Sequence, residues 1–128
     1  MEVNVEKEIR LFEAEYRFAQ IVWEHEPVGS GELARLCQEQ LGWKRTTTYT
    51  VLKKLCGRGI MRNENAVVTA LVGREEIQRQ EGKRMLNRLF DGSLPGFVAA
   101  FVGEQPLTRA EAEQLKALID RCREEDAQ

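Results

Sequence analysis

The chain has 128 residues, 42% of them apolar and 31% charged, with a net charge of −2. That length holds one ordinary domain or two very small ones, and no run of about 18 apolar residues offers a membrane span. The start, MEVNVEKEIR, lacks a basic segment followed by an apolar one, so it does not read as a signal peptide and the expected compartment is the cytoplasm.

Residues 9–26 read as a first helix. Leu11, Ala14, Phe18, Ile21 and Val22 recur at helical spacing, Tyr16, Ala19 and Trp23 widen the stripe, and Pro27 ends it. Ser30 is the expected N-cap of a second helix, with Glu32 in its first turn where the helix dipole favours an anion. Leu33, Leu36, Cys37 and Leu41 supply its apolar face, and Gly42 stops it.

The third helix spans about Arg45 to Arg58. Thr48, Val51, Leu52 and Leu55 lie on one side; Thr46, Thr47, Thr50, Lys53 and Lys54 lie on the other. Consecutive threonines are poor helix formers, so a helix selected for stability alone would not carry them. Facing outward, they suit contacts to phosphates and base edges, including the thymine methyl. The charge pattern fits. Between Trp43 and Asn63 lie six basic residues, Lys44, Arg45, Lys53, Lys54, Arg58 and Arg62, and no acidic one. The rest of the chain holds thirteen basic residues against 21 acidic. A positive island of this kind is either a solvated helix face or the footprint of a polyanion, and the threonines tip the reading to nucleic acid.

Gly59 closes the third helix. Ile60–Asn63 and Val67–Val72 are two β-prone runs around the polar turn Glu64-Asn65-Ala66, a hairpin signal. Three short helices followed by a hairpin is the winged helix-turn-helix order. Three further helices are expected over 74–91, 94–103 and 108–124, the last opened by a capping box of Thr108 and Glu111. They carry Leu86, Leu89, Phe90, Leu94, Phe97, Phe101, Leu115 and Leu118. Three short helices with this much apolar surface make a poor core alone, and a second copy of the chain is the expected cover.

Cys37, Cys56 and Cys122 are widely separated, and each falls beside leucine or isoleucine on an apolar face. They read as reduced, buried small hydrophobes. His25 is the single histidine, and neither CxxC nor HxxxH spacing occurs, so no metal and no cofactor is expected. Nucleophile–base pairing and a phosphate loop are also missing, and the chain does not read as an enzyme.

The sequence resembles the penicillinase-repressor (BlaI/MecI/CopY) family of bacterial transcriptional repressors from Ile9 to Cys122. The likeness is carried by Glu15-Tyr16, Ile21-Val22-Trp23-Glu24, the run from Trp43 to Leu55 with Gly59, Leu86–Leu94, and Leu107-Thr108 with Glu111 and Leu115. The resemblance implies a mainly α protein: a winged-helix DNA-binding domain over 1–73, then a helical dimerisation region over 74–128. It implies a homodimer on a dyad operator in double-stranded DNA. Thr46, Thr47 and Thr50 match positions that face DNA, and Trp43, Lys53 and Lys54 match positions near phosphates. In the family's archetypes a membrane sensor-protease relieves repression, and the matching bond here is Ala100–Phe101.

This chain departs from the family pattern in three places. The wing reads Asn63-Glu64-Asn65-Ala66-Val67-Val68, without the usual Gly-Arg, so phosphate contact there rests on Arg62. Cys122 is a single C-terminal cysteine where the copper-responsive branch has a cluster. The Ala100–Phe101 bond lacks the expected Asn. The acidic wing leaves open an alternative, a winged-helix protein–protein interaction module with no operator.

Overall fold

The structure, a computed structural model, describes residues 10–123. The polar start up to Ile9 and the end from Glu124 lie outside the described residues. The elements in order are α1 (Glu13–His25), β1 (Val28–Gly29), α2 (Ser30–Leu41), α3 (Arg45–Gly57), β2 (Met61–Glu64), β3 (Val67–Ala70), α4 (Arg74–Phe90), α5 (Leu94–Val102) and α6 (Arg109–Cys122). This is the expected winged helix-turn-helix followed by a helical region. No helix is long and apolar enough to cross a membrane among the described residues.

α1 buries Phe18, Ala19, Ile21 and Val22, as its periodicity predicts. Leu11 joins the core from just before the helix, whereas Ala14 is exposed and Glu15 takes a buried position instead. α2 buries Leu33, Ala34, Leu36 and Cys37. It ends at Gly42, whose φ of 72° is the left-handed conformation that glycine adopts at no steric cost. The Trp43 N–H reaches back to the Cys37 carbonyl at 3.3 Å, which closes the helix end.

Ser30 is not the N-cap of α2. Gly29 is, and no side chain caps it. The reason is β1, a strand of two residues that the sequence reading did not contain. Val28 and Gly29 pair antiparallel with Val68 and Val67 of β3. That pairing carries the Ser30 N–H to the Ala66 carbonyl at 2.8 Å, so the backbone of the wing turn satisfies the helix start.

The sheet is antiparallel with order β1-β3-β2, and Met61, Arg62, Asn63 and Glu64 of β2 face Ala70, Thr69, Val68 and Val67 of β3. Asn65 and Ala66 form a two-residue turn with φ of 54° and 61°, the doubly left-handed turn that suits strand twist. Beyond β1, the Ala70 N–H is taken by the Glu26 carboxylate at 2.8 Å, which finishes that edge of β3.

The core of the first unit gathers Phe18, Val22, Leu33, Leu55, Ile60, Met61, Val68 and Ile77. Ile77 comes from the first turns of α4. The Trp23 indole N–H donates to the Val72 carbonyl at 3.0 Å, and the Arg74 guanidinium covers the ring at 5.6 Å, so α1 holds the chain as it leaves the wing. Compactness places Lys83 at the end of this unit and Arg84 at the start of a second.

Within the second unit, the Ser93 hydroxyl caps α5 through the Gly96 N–H at 2.9 Å. Thr108 and Glu111 form the expected reciprocal cap of α6, both bonds at 3.1 Å. Phe97 meets Phe90 and Phe101 edge-on at 5.5 and 4.8 Å. Yet no side chain between residues 84 and 123 is fully buried. The cysteines follow the same division: Cys37 is buried, Cys56 is half-buried, and Cys122 is exposed rather than the buried hydrophobe expected.

Ala66 carries a Cβ in a left-handed conformation that glycine tolerates freely. Ala66→Gly is therefore expected to raise stability by about 0.5–1 kcal/mol, the relief of strain exceeding the entropy added to the unfolded chain. Urea unfolding measures it. A lower midpoint for the variant would show the turn to be unstrained.

Candidate nucleic-acid interface

α3 divides its side chains between the core and solvent. Thr48, Leu52 and Leu55 are buried, with Val51 half-buried beside them. At 3.6 residues per turn, Thr46, Thr50 and Lys53 stand opposite this face, and Thr47 and Lys54 form one shoulder. All five are exposed. Thr48 shows the cost of a threonine facing inward: its hydroxyl is buried and makes no hydrogen bond of ordinary geometry. It lies by the Cys37 thiol, whose pKa burial pushes up and the Thr48 hydroxyl pulls partly back.

The approach to α3 is built on aromatic packing. Trp43 stacks on Phe18 with centroids 6.0 Å apart and planes within 10° of parallel. Trp43 is thus half-buried against the core, and its place is structural as much as at a surface. Lys44 is the N-cap, and the first turn of α3 contains no acidic side chain, so its free N–H groups and the exposed Lys44 and Arg45 present positive charge together. The Arg45 guanidinium sits 5.9 Å from the Tyr49 ring centroid and near Gly31 of α2.

The far end of α3 is different. Glu15 of α1 is 6% exposed, and its carboxylate receives three groups. The Phe12 N–H donates to Oε1 at 3.0 Å, Lys54 Nζ lies 2.9 Å from Oε2, and Arg58 Nη1 donates to Oε1 at 3.4 Å. Burial alone would raise its pKa. The Phe12 N–H, Lys54 and Arg58 outweigh that and hold it below the ordinary value. Arg58 also donates through Nη2 to the Arg10 carbonyl. Of the cations expected at DNA, Lys54 is therefore paired within the protein, while Lys44 and Lys53 have no ion-pair partner among the described residues. Glu15 and Arg58 escaped the sequence reading as a unit. The available signal was a glutamate interrupting an apolar helical stripe.

Arg62 is exposed on the wing, 3.8 Å from Glu64. The apolar residues expected at a dimer interface lie in the second unit. Leu86, Phe90 and Phe97 are half-buried; Leu89, Leu94, Phe101, Leu115 and Leu118 are exposed, Leu94 at 59% and Phe101 at 56%. Ala100 and Phe101 are both exposed, in helical backbone near the end of α5. No group of three or more metal-capable side chains comes together among the described residues.

Comparison with known proteins gives concordant matches. The sequence model of the family described as "Penicillinase repressor" matches residues 11–121. The methicillin resistance regulatory protein MecI of Staphylococcus aureus is 23% identical over 119 residues, covering 90% of this chain and 97% of that protein. The MecI of Mammaliicoccus sciuri is 22% identical with the same coverage. The penicillinase repressor of Bacillus licheniformis is 20% identical over 115 residues, covering 87% and 90%.

Glu15→Gln keeps an acceptor for the Phe12 N–H and removes the charge. Because the folded pKa is depressed, the stability due to the charge is present above the ordinary value of 4.5 and lost as pH falls through the lower folded value. The variant is expected to be about 1–2 kcal/mol less stable at pH 7 and to lose less stability than wild type on acidification through that window. Denaturant midpoints across pH measure this. Equal acid sensitivity would remove Glu15 from the account.

Proposed function

The chain belongs to the penicillinase repressor family, and from that premise we propose that it represses transcription as a homodimer on a dyad operator. The observation that carries the reading is the exposed face of α3, where threonines and unpaired cations stand opposite a buried apolar face. Laid in a major groove, Thr46, Thr47 and Thr50 offer hydroxyls to base edges and methyls to thymine. Lys44, Arg45 and Lys53 neutralise phosphates, and the N-terminus of α3 adds backbone N–H donors. Arg62 can add a phosphate contact from the wing, against weak competition from the exposed Glu64 at 3.8 Å. Phosphate contacts set the register, and the threonine contacts set the sequence.

The second unit supports the dimer. Its exposed Leu94, Phe101, Leu118 and Ile119 form apolar surface that its own helices leave open, and a second copy related by a twofold axis covers it. Two α3 helices then address half-sites about one turn of DNA apart, or a small multiple of that. The second half-site is met at high effective concentration, so dimerisation multiplies a weak single-site affinity. In this reading the protein works in the cytoplasm, and its target genes are of the β-lactam-resistance type that the relatives' names indicate. The acidic wing favours one other reading, an interaction module without an operator. Failure to shift the promoter of its own gene in a gel would decide for it.

Thr50→Ala is expected to weaken operator binding by roughly 1–3 kcal/mol and to blur one base pair, with unchanged thermal unfolding. Titration against operators varied base by base measures both effects. Undiminished affinity for the variants of Thr46, Thr47 and Thr50 together would mean that another surface reads the DNA.

Leu94→Asp and Leu118→Asp are expected to shift sedimentation from dimer to monomer, since each sets a charge in the apolar surface. Dimers that persist in both variants at micromolar concentration would exclude this face as the interface.

A further inference from the structure

We propose that Glu15 is an internal counter-ion of the recognition helix: it withholds Lys54 and Arg58 from phosphate and thereby limits affinity for DNA of any sequence. The inference rests on the DNA-binding reading of α3. Lys53 and Lys54 are adjacent and both exposed, yet their electrostatic positions differ. Lys53 stands opposite the core with Thr46 and Thr50. Lys54 is on the shoulder with Thr47, and its Nζ is 2.9 Å from Glu15 Oε2. An ion pair between two solvated side chains would contribute little. Here the carboxylate side chain is only 8% exposed, so water screens the attraction less. Its remaining oxygen is held by the Phe12 N–H at 3.0 Å and by Arg58 Nη1 at 3.4 Å. A phosphate that drew Lys54 away would leave a buried carboxylate without its nearest cation.

The cap on α1 does not require the charge. A neutral amide oxygen would still accept the Phe12 N–H, though more weakly than a carboxylate. The negative charge therefore has a separate consequence, which is to occupy two of the cations at this end of α3. Each phosphate contact adds about 0.9 to the log–log salt slope, so a fourfold change in salt alters affinity about threefold per contact. Sequence-independent affinity is made almost wholly of such contacts, whereas the operator is also read through base edges. Withholding cations lowers affinity for operator and unrelated DNA by about the same factor, so absolute affinity falls while the threonine contacts continue to set the ratio between them.

The test is the salt dependence of binding to unrelated duplex DNA by the full chain. Lys53→Met is expected to lower the slope by about 0.9 for each recognition helix engaged, and Lys54→Met to leave it unchanged. Glu15→Gln is expected to steepen it by about one to two contacts per helix, and Lys54→Met added to Glu15→Gln to reverse part of that gain. Circular dichroism checks that the Glu15 variants are folded. If they are not, the comparison of Lys53→Met with Lys54→Met decides alone. An equal loss of slope in those two variants overturns the counter-ion assignment while leaving the DNA-binding reading intact. A wild-type chain that binds neither operator nor unrelated DNA overturns both.

Discussion

Burial of Thr48, Leu52 and Leu55 determines which side chains α3 shows to solvent, and the first unit is arranged around that burial. Leu33 and Cys37 of α2 and Phe18 and Val22 of α1 join these residues in one core. Trp43, stacked on Phe18, fixes the turn that leads into α3. Glu15 holds the other end through Lys54 and Arg58. Contacts at both ends and along one face favour a single orientation of the helix. Its polar face is therefore presented in one orientation before any ligand arrives, which limits the entropy lost on binding.

The parts legible in the sequence are those written in local periodicity. Six helices and the hairpin follow from apolar spacing, from Gly42 and Gly59 as stops, and from the capping box at Thr108. The threonine run and the basic island point to α3 for the same reason, since both are properties of neighbouring residues. The illegible parts depend on residues distant in sequence. β1 is two residues long, too short for a pattern, and exists because β3 lies beside it. Ser30 looks like a cap and is not one: Gly29 is the N-cap, and the Ser30 N–H is taken by the distant Ala66 carbonyl. Glu15 interrupts the apolar stripe of α1, but its partners Lys54 and Arg58 lie some forty residues away and no local pattern names them. Cys122 sits on a helix whose Leu115, Leu118 and Ile119 remain exposed among the described residues.

The two units differ in what they need. The first has a core fed by every one of its elements. The second has good helix caps and an aromatic row from Phe90 through Phe97 to Phe101, but no fully buried side chain. Caps and rings define helices; they do not supply the burial that holds helices together. In the proposed dimer its stability would depend on association, and so on protomer concentration.

The bond from the Ser30 N–H to the Ala66 carbonyl joins the first residue of α2 to the tip of the hairpin. These are the two places where a small domain ordinarily frays first. Here the two are coupled: unwinding the start of α2 takes the donor from the Ala66 carbonyl, and opening the turn takes the acceptor from the Ser30 N–H. Together with the pairing of β1 to β3, this bond ties the start of the helix to the hairpin. A force applied at the outer turn is borne at once by the helix that precedes α3.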